Sequence, residues 1–511
     1  MMNLGTLLNA LAEEMRIAPE LTQERSEQSV HGIVSDSRQV VQGAVFVAVN
    51  GTTYDGHNAI DDAIERGAIA IVVQTAPVSP VPVPCIHVRD TRLAYAVLTV
   101  TLAGNPGSQL RIYGVTGTNG KTTCATLLEQ LYGNVGRHVG FIGTTGNRYA
   151  GLQYDTRYST PHAGELTQLF NAMLQVGVET VCMEVSSHAL DQFRVYGVGF
   201  RGAIFTNLTR DHLDYHGTME NYANAKKKLF DNLSSDAIAV LWGDSEWAPY
   251  MKRHCPANMA VTVGTGRGNQ IQVTDVDMDI SGTTFNLVRH NAGLARLPER
   301  MAIRTKLLGE FNVANVALVV VMAILDGTSP DEVSRIIPSL QGPKGRMEVH
   351  STASGTIAIV DYAHTPDALD NVLRVVRSFA NQGTHERKLH VVFGCGGDRD
   401  KGKRSEMGRI ASSLADSVII TTDNPRTEHP QDIVNNILSG VDAYDYSKVR
   451  VIEDRRTALH TALDQAGPID VVIIAGKGHE EYQIIGDRRL AFSDADEISA
   501  WSAKHKKAPL D

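Results

Sequence analysis

Gly114-Val-Thr-Gly-Thr-Asn-Gly-Lys-Thr-Thr123 is the stretch whose reading decides the fold of this 511-residue chain. A β-branched, apolar run over residues 110–116 leads into it and a helical pattern over 122–133 follows, so its glycines stand at a strand-to-helix turn. In that context backbone N–H groups can approach phosphates, Lys121 offers a point charge to the β and γ oxygens, and the Thr122 hydroxyl can hold Mg²⁺. Gly117, Thr118, Asn119, Gly120 and Thr123 complete the candidate nucleotide loop. Gly114 and Gly120 are one residue further apart than the usual spacing, which points to a variant phosphate-binding family rather than an ordinary GTPase or kinase. A glycine turn without ligand is the bland alternative, and Gly-Lys-Thr-Thr at such a junction weighs against it.

Outward from this loop the chain divides. One hydrophobic core rarely serves more than about 300 residues, so several domains are expected. Strand-like runs at 44–49 and 68–73 enclose a helical one and read as a small α/β N-terminal domain, residues 1–108. The strand, loop and helix at 110–133, with strand-like 180–185 and 203–208, read as a central P-loop, parallel-sheet ATPase domain, residues 109–344. Breaker-rich Gly342-Pro-Lys-Gly345 closes it. Runs at 357–360, 389–393, 417–421 and 470–474 alternate with helical segments, so residues 345–511 read as a Rossmann-like C-terminal α/β domain. Proline-rich residues 77–84 read as an extended connection between strands in preference to a partner's ligand.

Ligands of open parallel sheets sit beyond the carboxyl ends of the strands. Glu184 at the end of one run and His212 after another could bind Mg²⁺ there, and a structural hydrogen-bonding role is equally open for each. Lys226, in Tyr222-Ala-Asn-Ala-Lys226, is subtler. If 218–233 is helical, Met219, Tyr222, Leu229 and Phe230 share an apolar face with Lys226 at its centre and Lys227 and Lys228 beside it. Burial penalises an ammonium, so the pKa should fall, and a neutral amine can take up CO₂ as a metal-bridging carbamate. The alternative is a lysine that snorkels to solvent along its stem.

In the last domain three runs end in notable loops: Gly394-Cys-Gly-Gly-Asp-Arg399-Asp400, Asp423-Asn-Pro-Arg426 and Gly476-Lys-Gly-His-Glu480. Parallel, adjacent strands would bring all three to one crevice, whereas each alone could be a surface turn. Arg399 and Arg426 could clamp carboxylates, and Asp423 and Glu480 could receive an ammonium group. An amino acid with several charged groups suits that set.

With these residues in hand, the chain resembles the Mur ligases from Ser35-Asp-Ser-Arg38 to Glu480, and within them the members that add meso-diaminopimelate to UDP-N-acetylmuramoyl-L-alanyl-D-glutamate in peptidoglycan synthesis. The resemblance implies an ADP-forming carboxylate–amine ligase using ATP and Mg²⁺, with a carbamate on Lys226. It implies Ser37 and the 51–57 loop for the uridine nucleotide, and Ser159, Thr160, Ser186, Gln192 and Arg194 for the muramoyl peptide. Lys121, Glu184, His212 and Lys226 take catalytic roles, the last three with Thr122 as metal ligands; Asn312 lies near adenine, Arg346 near the phosphates and Asp361 on the ribose. Arg399, Asp423, Asn424, Pro425, Arg426, Gly476 and Glu480 match the diaminopimelate pocket, where Arg426 would hold a distal carboxylate that lysine lacks. The first domain matches most loosely.

Composition sets limits on this reading. A 42% hydrophobic, 21% charged chain is globular rather than disordered, and a net charge of -9 argues against nonspecific binding to nucleic acid or anionic membrane. Five scattered cysteines (Cys85, Cys124, Cys182, Cys255, Cys395) without metal-type pairing fit a reducing cytoplasm. Residues 1–15 carry Glu13 and Glu14 in place of a basic region, so no signal peptide is expected, and the apolar run 316–325 is too short for a bilayer and predicts a buried helix. A monomer is expected. Rival readings are the lysine-adding relative, a folylpolyglutamate-type synthetase, which lacks the additional first domain, and a nucleotide-dependent switch, for which no Asn-Lys-x-Asp guanine signature occurs.

Overall fold

β-Branched runs with no polar face can pair only inside a sheet covered on both sides, and such runs form the centre of each large sheet here. The structure, a computed structural model, describes residues 2–11, 16–18, 22–51, 54–279, 281–380 and 387–505. Parts of the acidic start (residues 1 and 12–15) and residues 52 and 53 of the loop matched to uridine binding lie outside these. The chain forms two compact units. One comprises Met1–Val273, Leu287–Arg300 and Ala314–Ile336, the other Thr274–Asn286, Met301–Val313 and Ile337–Asp511.

The first unit holds one whole sheet and the parallel centre of a second. Its N-terminal sheet runs in the order Arg16–Ala18, Cys85–Val88, Ala68–Val73, Ala44–Val47, Gly32–Val34, parallel except at the first strand. The proline-rich stretch connects Ala68–Val73 to Cys85–Val88, as expected. In the second sheet Arg111–Thr116 lies between Thr180–Glu184 and Phe200–Phe205, all parallel, with Val139–Gly143 beyond one neighbour and Ile238–Trp242 and Met259–Gly264 beyond the other. The apolar run 316–325 is buried within the helix Glu310–Leu325.

Opposite the phosphate loop, the amino ends of these strands are tied by one carboxylate. Asp326, its side chain fully buried, ion-pairs with Arg111 (3.0 Å), Arg137 (2.9 Å) and Arg201 (3.2 Å). The strand expected at 203–208 ends instead at Phe205. Thr206 and Asn207 leave the sheet because their polar groups bind the phosphate loop: Asn207 O accepts from Thr118 N (2.9 Å) and Thr206 Oγ1 donates to Asn119 O.

In the second unit a six-stranded sheet has the order Glu348–Ser351, Ile357–Asp361, Val471–Ala475, Leu389–Phe393, Ser417–Ile420, Val449–Val451, parallel apart from the first edge. One face is covered by Leu369, Leu373, Met407 and Ile437, the other by Leu459, Leu463, Ile498 and Trp501, so the sheet is doubly wound. Leu389–Phe393 is flanked by the strands that precede the other two notable loops, which meets the condition for convergence. The Gly342–Gly345 segment also packs here: Gly345 lies backbone to backbone against Gly478 and His479.

Candidate active site

Gly114 belongs to the strand, not the loop. A Cβ there would meet the Phe200 ring at 2.7 Å, so close sheet packing explains that glycine. The phosphate turn proper is Gly117–Gly120, with φ of 151° and 85° at its two glycines, and the helix Lys121–Asn134 starts directly after it. Its shape is held from behind: Asn119 N donates to Asn207 Oδ1 (2.9 Å), Thr209 N donates to Thr118 Oγ1 (3.0 Å), and Thr118 Oγ1 and Tyr222 OH share a hydrogen bond (3.2 Å). Lys121 Nζ donates to Gly117 O (3.0 Å) and Thr118 O (2.8 Å).

Lys226 does not snorkel. The helix Met219–Asp231, capped by the Thr218 hydroxyl, buries Tyr222, Leu229 and Phe230 and carries Lys226 inward at 1% exposure. Its Nζ donates to Gly117 O at 2.9 Å, the carbonyl that Lys121 also uses, and sits 4.6 Å from the Tyr222 ring centroid. Burial first, and then the Lys121 charge, holds its pKa well below the ordinary lysine value. Two amine nitrogens thus converge on one carbonyl of the phosphate turn.

The residues matched to the muramoyl peptide form one connected network with Glu184. Glu184, buried at the end of Thr180–Glu184, accepts from Thr144 N (2.7 Å) and Thr144 Oγ1 (3.2 Å), and Ser159 Oγ lies within hydrogen-bond distance of Thr144 Oγ1 (2.8 Å). Thr160 Oγ1 donates to Glu184 O (2.9 Å) and accepts from Ser186 N (3.0 Å). Arg194 reaches Thr160 O (3.0 Å) and Gln192 Oε1 (2.7 Å). Ser37 stands apart, on the turn Ser37–Gln39 of the N-terminal sheet, where it hydrogen-bonds Asp62. His212, in a left-handed conformation (φ 53°), packs edge-on to His188 (centroids 4.9 Å), which also touches Tyr215 (4.4 Å). Burial, followed by His212 and His216, lowers His188 to about 4, so its imidazole is neutral at pH 7.

Among the described residues no three His, Cys, Asp or Glu side chains gather as a metal cluster. The donors at hand are a hydroxyl (Thr122), a carboxylate (Glu184) and an imidazole (His212). Sparse, mostly oxygen donors beside a phosphate loop fit Mg²⁺, which takes one or two protein ligands and completes its shell with water and phosphate oxygens.

The second unit joins its three loops by direct bonds. Asn424 Nδ2 donates to Glu480 Oε2 (2.9 Å), Gly397 N to Asn424 O (2.9 Å), and Arg426 Nη1 to Gly397 O (2.7 Å). Arg399 Nη1 stays on its own loop, at Asp398 O (3.1 Å), and Gly476, at φ 112°, donates its N–H to Asp361 O (3.0 Å). Pro425 O occupies the space a side chain at Gly397 would need. Asn312, Arg346 and Asp361 also belong to this unit. Asn312 donates to Leu308 O (2.8 Å), Arg346 lies over the Tyr362 ring (4.9 Å), and Asp361 accepts from Met347 N (2.7 Å) and Ala363 N (2.8 Å) while burial raises its pKa.

Profiles of three families match the chain: "Mur ligase family, catalytic domain" over residues 29–99, "Mur ligase middle domain" over 115–323 and "Mur ligase, glutamate ligase domain" over 345–478. A protein of Geobacillus thermodenitrificans called UDP-N-acetylmuramoyl-L-alanyl-D-glutamate--2,6-diaminopimelate ligase is 42% identical over 90% of this chain and 92% of its own. The chain belongs to the Mur ligase family. A protein of the same name from Listeria monocytogenes is 40% identical and covers 98% of this Mur ligase and 99% of itself. Among solved structures, one of a ligase of that name aligns with a TM-score of 0.71 at 32% identity, over 96% of this chain and 98% of the other. The fold, but no more, is shared with a folylpolyglutamate synthase of Mycobacterium tuberculosis (TM-score 0.57, 18% identity, 76% of this chain and 92% of the other).

Several residues of this Mur ligase escaped sequence reasoning. Lys477 is fully buried, with Nζ 3.2 Å from Asp423 Oδ1, 3.1 Å from Asn424 Oδ1 and 3.5 Å from Glu480 Oε2. The two carboxylates expected to receive an ammonium group thus already share one from the protein itself. The glycine-rich turn around it marks a loop but gives no sign of its burial. Arg455, paired in full burial with Asp494, holds Ala475 O (3.0 Å) where the Gly476 loop begins; nothing in its local sequence announces that reach. Thr144, which orients Glu184, was equally silent, and Tyr222, read only as part of an apolar face, also bonds the phosphate loop.

Proposed function

We propose that this Mur ligase couples ATP hydrolysis to amide formation, joining meso-diaminopimelate to UDP-N-acetylmuramoyl-L-alanyl-D-glutamate with release of ADP and phosphate. The names of the relatives support the reaction, and the observation that carries the amino acid is the Asp423–Arg426 loop, locked against Gly397 and Glu480 with a guanidinium at its end. In this reading the D-glutamyl γ-carboxylate attacks the γ-phosphorus and the bond to the β-phosphate oxygen breaks, giving an acyl phosphate and ADP. The amine of diaminopimelate then adds to the acyl carbon, phosphate leaves with its bridging oxygen, and the amine's proton passes to solvent or base. Lys121 offsets charge on the phosphates, the N–H groups of residues 117–122 receive phosphate oxygens, and Ser159, Thr160, Ser186, Gln192 and Arg194 orient the acceptor peptide, with Ser37 on the uridine nucleotide. Asn312, Arg346 and Asp361 serve the adenine, phosphate and ribose, while Arg399 and Arg426 hold carboxylates of the incoming amino acid.

Thr122, Glu184 and His212 would hold Mg²⁺, together with Lys226 once its neutral amine has bonded to CO₂ and lost a proton. Bound there, the ion lowers the repulsion between carboxylate and triphosphate. Residues 1–108, 109–344 and 345–511 are the proposed substrate, ATP and amino-acid domains of a cytoplasmic, monomeric enzyme. Among the described residues no helix is long and apolar enough to cross a membrane. Phosphate release and product mass tell the readings apart: amide formation with meso-diaminopimelate and not L-lysine supports the assignment, lysine alone supports the lysine-adding relative, and neither overturns both.

A further inference from the structure

We propose that Arg404 and Glu428 are positioning residues that set amino-acid specificity by fixing the aim of Arg426. The inference rests on the functional reading above, in which Arg426 grips the distal carboxylate.

Arg426 cannot aim itself. Its backbone sits at φ 51°, a left-handed conformation that a non-glycine residue keeps only where its surroundings over-determine it. Two backbone bonds hold it, Arg426 N to Ile484 O (3.3 Å) and Gly486 N to Arg426 O (2.9 Å), and these fix the Cα without directing the side chain. Among the described residues the guanidinium is steered by one hydrogen bond, Nη1 to Gly397 O (2.7 Å). Where the fork points therefore depends on where Gly397 is held.

Gly397 N donates to Asn424 O (2.9 Å), and the residues on either side of it are fastened to one ion pair. Arg404, on the helix Gly402–Leu414, has no solvent exposure and donates from Nη1 and Nη2 to Glu428 Oε2 (3.0 Å) and Oε1 (2.9 Å), fork to fork. The same Nη2 holds Gly396 O (3.2 Å), and Glu428 Oε1 also accepts from Asp398 N (2.6 Å). The residues on either side of Gly397 are thus fastened to opposite partners of one bidentate pair. Asn436 Oδ1 (2.9 Å from Arg404 Nη1) and Thr427, bonded through N and Oγ1 to the Asp398 carboxylate (3.1 and 2.8 Å), stiffen each end. Arg404 holds the Glu428 carboxyl down at about 2, so the pair stays charged at ordinary pH. A buried ion pair contributes little net stability, but its geometry is definite, which is what a support for a clamp requires.

The test is a double-variant cycle on the full-length protein, with KM for meso-diaminopimelate measured at saturating ATP and UDP-dipeptide. Glu428→Gln should raise that KM by about tenfold while KM for ATP stays within about twofold. In an Arg426→Ala background the same substitution should add nothing, because it acts through the side chain already removed. A merely structural pair predicts the opposite, with the two factors multiplying. Arg404→Lys keeps charge and burial but loses the fork, and stands in for Glu428→Gln if that variant does not fold. Wild-type protein that forms no amide with meso-diaminopimelate overturns the functional reading. An active wild type whose positioning variants leave KM unchanged, or multiply with Arg426→Ala, overturns only this inference.

Discussion

Replacing Lys226 with Met should make folding stability less dependent on pH, and the structure supplies the sign and the size. Lys226 is 1% exposed, its Nζ donates to a carbonyl already shared with Lys121, and burial lowers its pKa. In the unfolded chain the amine is protonated below the ordinary lysine value of 10.5. Between the folded pKa and 10.5 the unfolded state therefore binds one proton more than the folded state. The resulting penalty is full below the folded pKa and disappears as pH rises to 10.5. Within that window stability should climb by at most about 1.4 kcal/mol per pH unit. Met has a similar unbranched shape, fills the same channel and carries no proton, so the variant should lack this slope and be the more stable protein at pH 7. Urea unfolding at pH 7, 8 and 9 in CO₂-free buffer with EDTA and no nucleotide would measure the difference. Trp242 and Trp247 lie in the first unit and Trp501 in the second, so a Trp501→Phe background confines the fluorescence to the unit that holds Lys226. A wild-type-minus-variant difference that does not change with pH would mean that Lys226 stays charged when folded, and the argument for a neutral amine would fall.

Turnover makes further demands on the same and neighbouring residues. Lys226→Ala should abolish most activity, with partial recovery when a small carboxylate such as acetate is added; near-normal turnover without rescue would remove the carbamate from the scheme. Arg426→Ala should cost about 2 kcal/mol of amino-acid binding, about 30-fold in KM for meso-diaminopimelate, with KM for ATP unchanged. Ala pays the same left-handed backbone cost as Arg, so a large stability loss in that variant would refute the local picture. Asp326→Ala strands three arginines at the amino ends of the central strands and should destabilise the first unit by about 3 kcal/mol, read from its urea midpoint.

How much of this could be read from the sequence depended on whether a signal was local. Strand ends in parallel sheets are local, so Glu184, Asp423 and Gly476 could be put at carboxyl edges from apolar runs alone. Helical spacing at 100° per residue put Lys226 on an apolar face but left burial and snorkelling both open, and the resemblance to the Mur ligases favoured burial. Phe205 marks where that reasoning stops, since Thr206 and Asn207 continue the strand pattern but bind a loop some ninety positions earlier. Lys477, Arg455 and Arg404 lay beyond reach for the same cause. Each looks like an ordinary surface cation, and only long-range pairing with Asp423, Asp494 or Glu428 makes its burial tolerable.

The glycines around the proposed amino-acid pocket have an evolutionary consequence. A Cβ at Gly394, Gly397 or Gly476 would meet, respectively, Thr421 O, Pro425 O, and a backbone at φ 112° that disfavours any side chain. The pocket's main-chain frame therefore offers almost no single substitution through which it could be reshaped step by step. A descendant that came to use a different amino acid would have to change what projects from the frame, at positions such as 399 and 426, and inherit the frame itself unaltered.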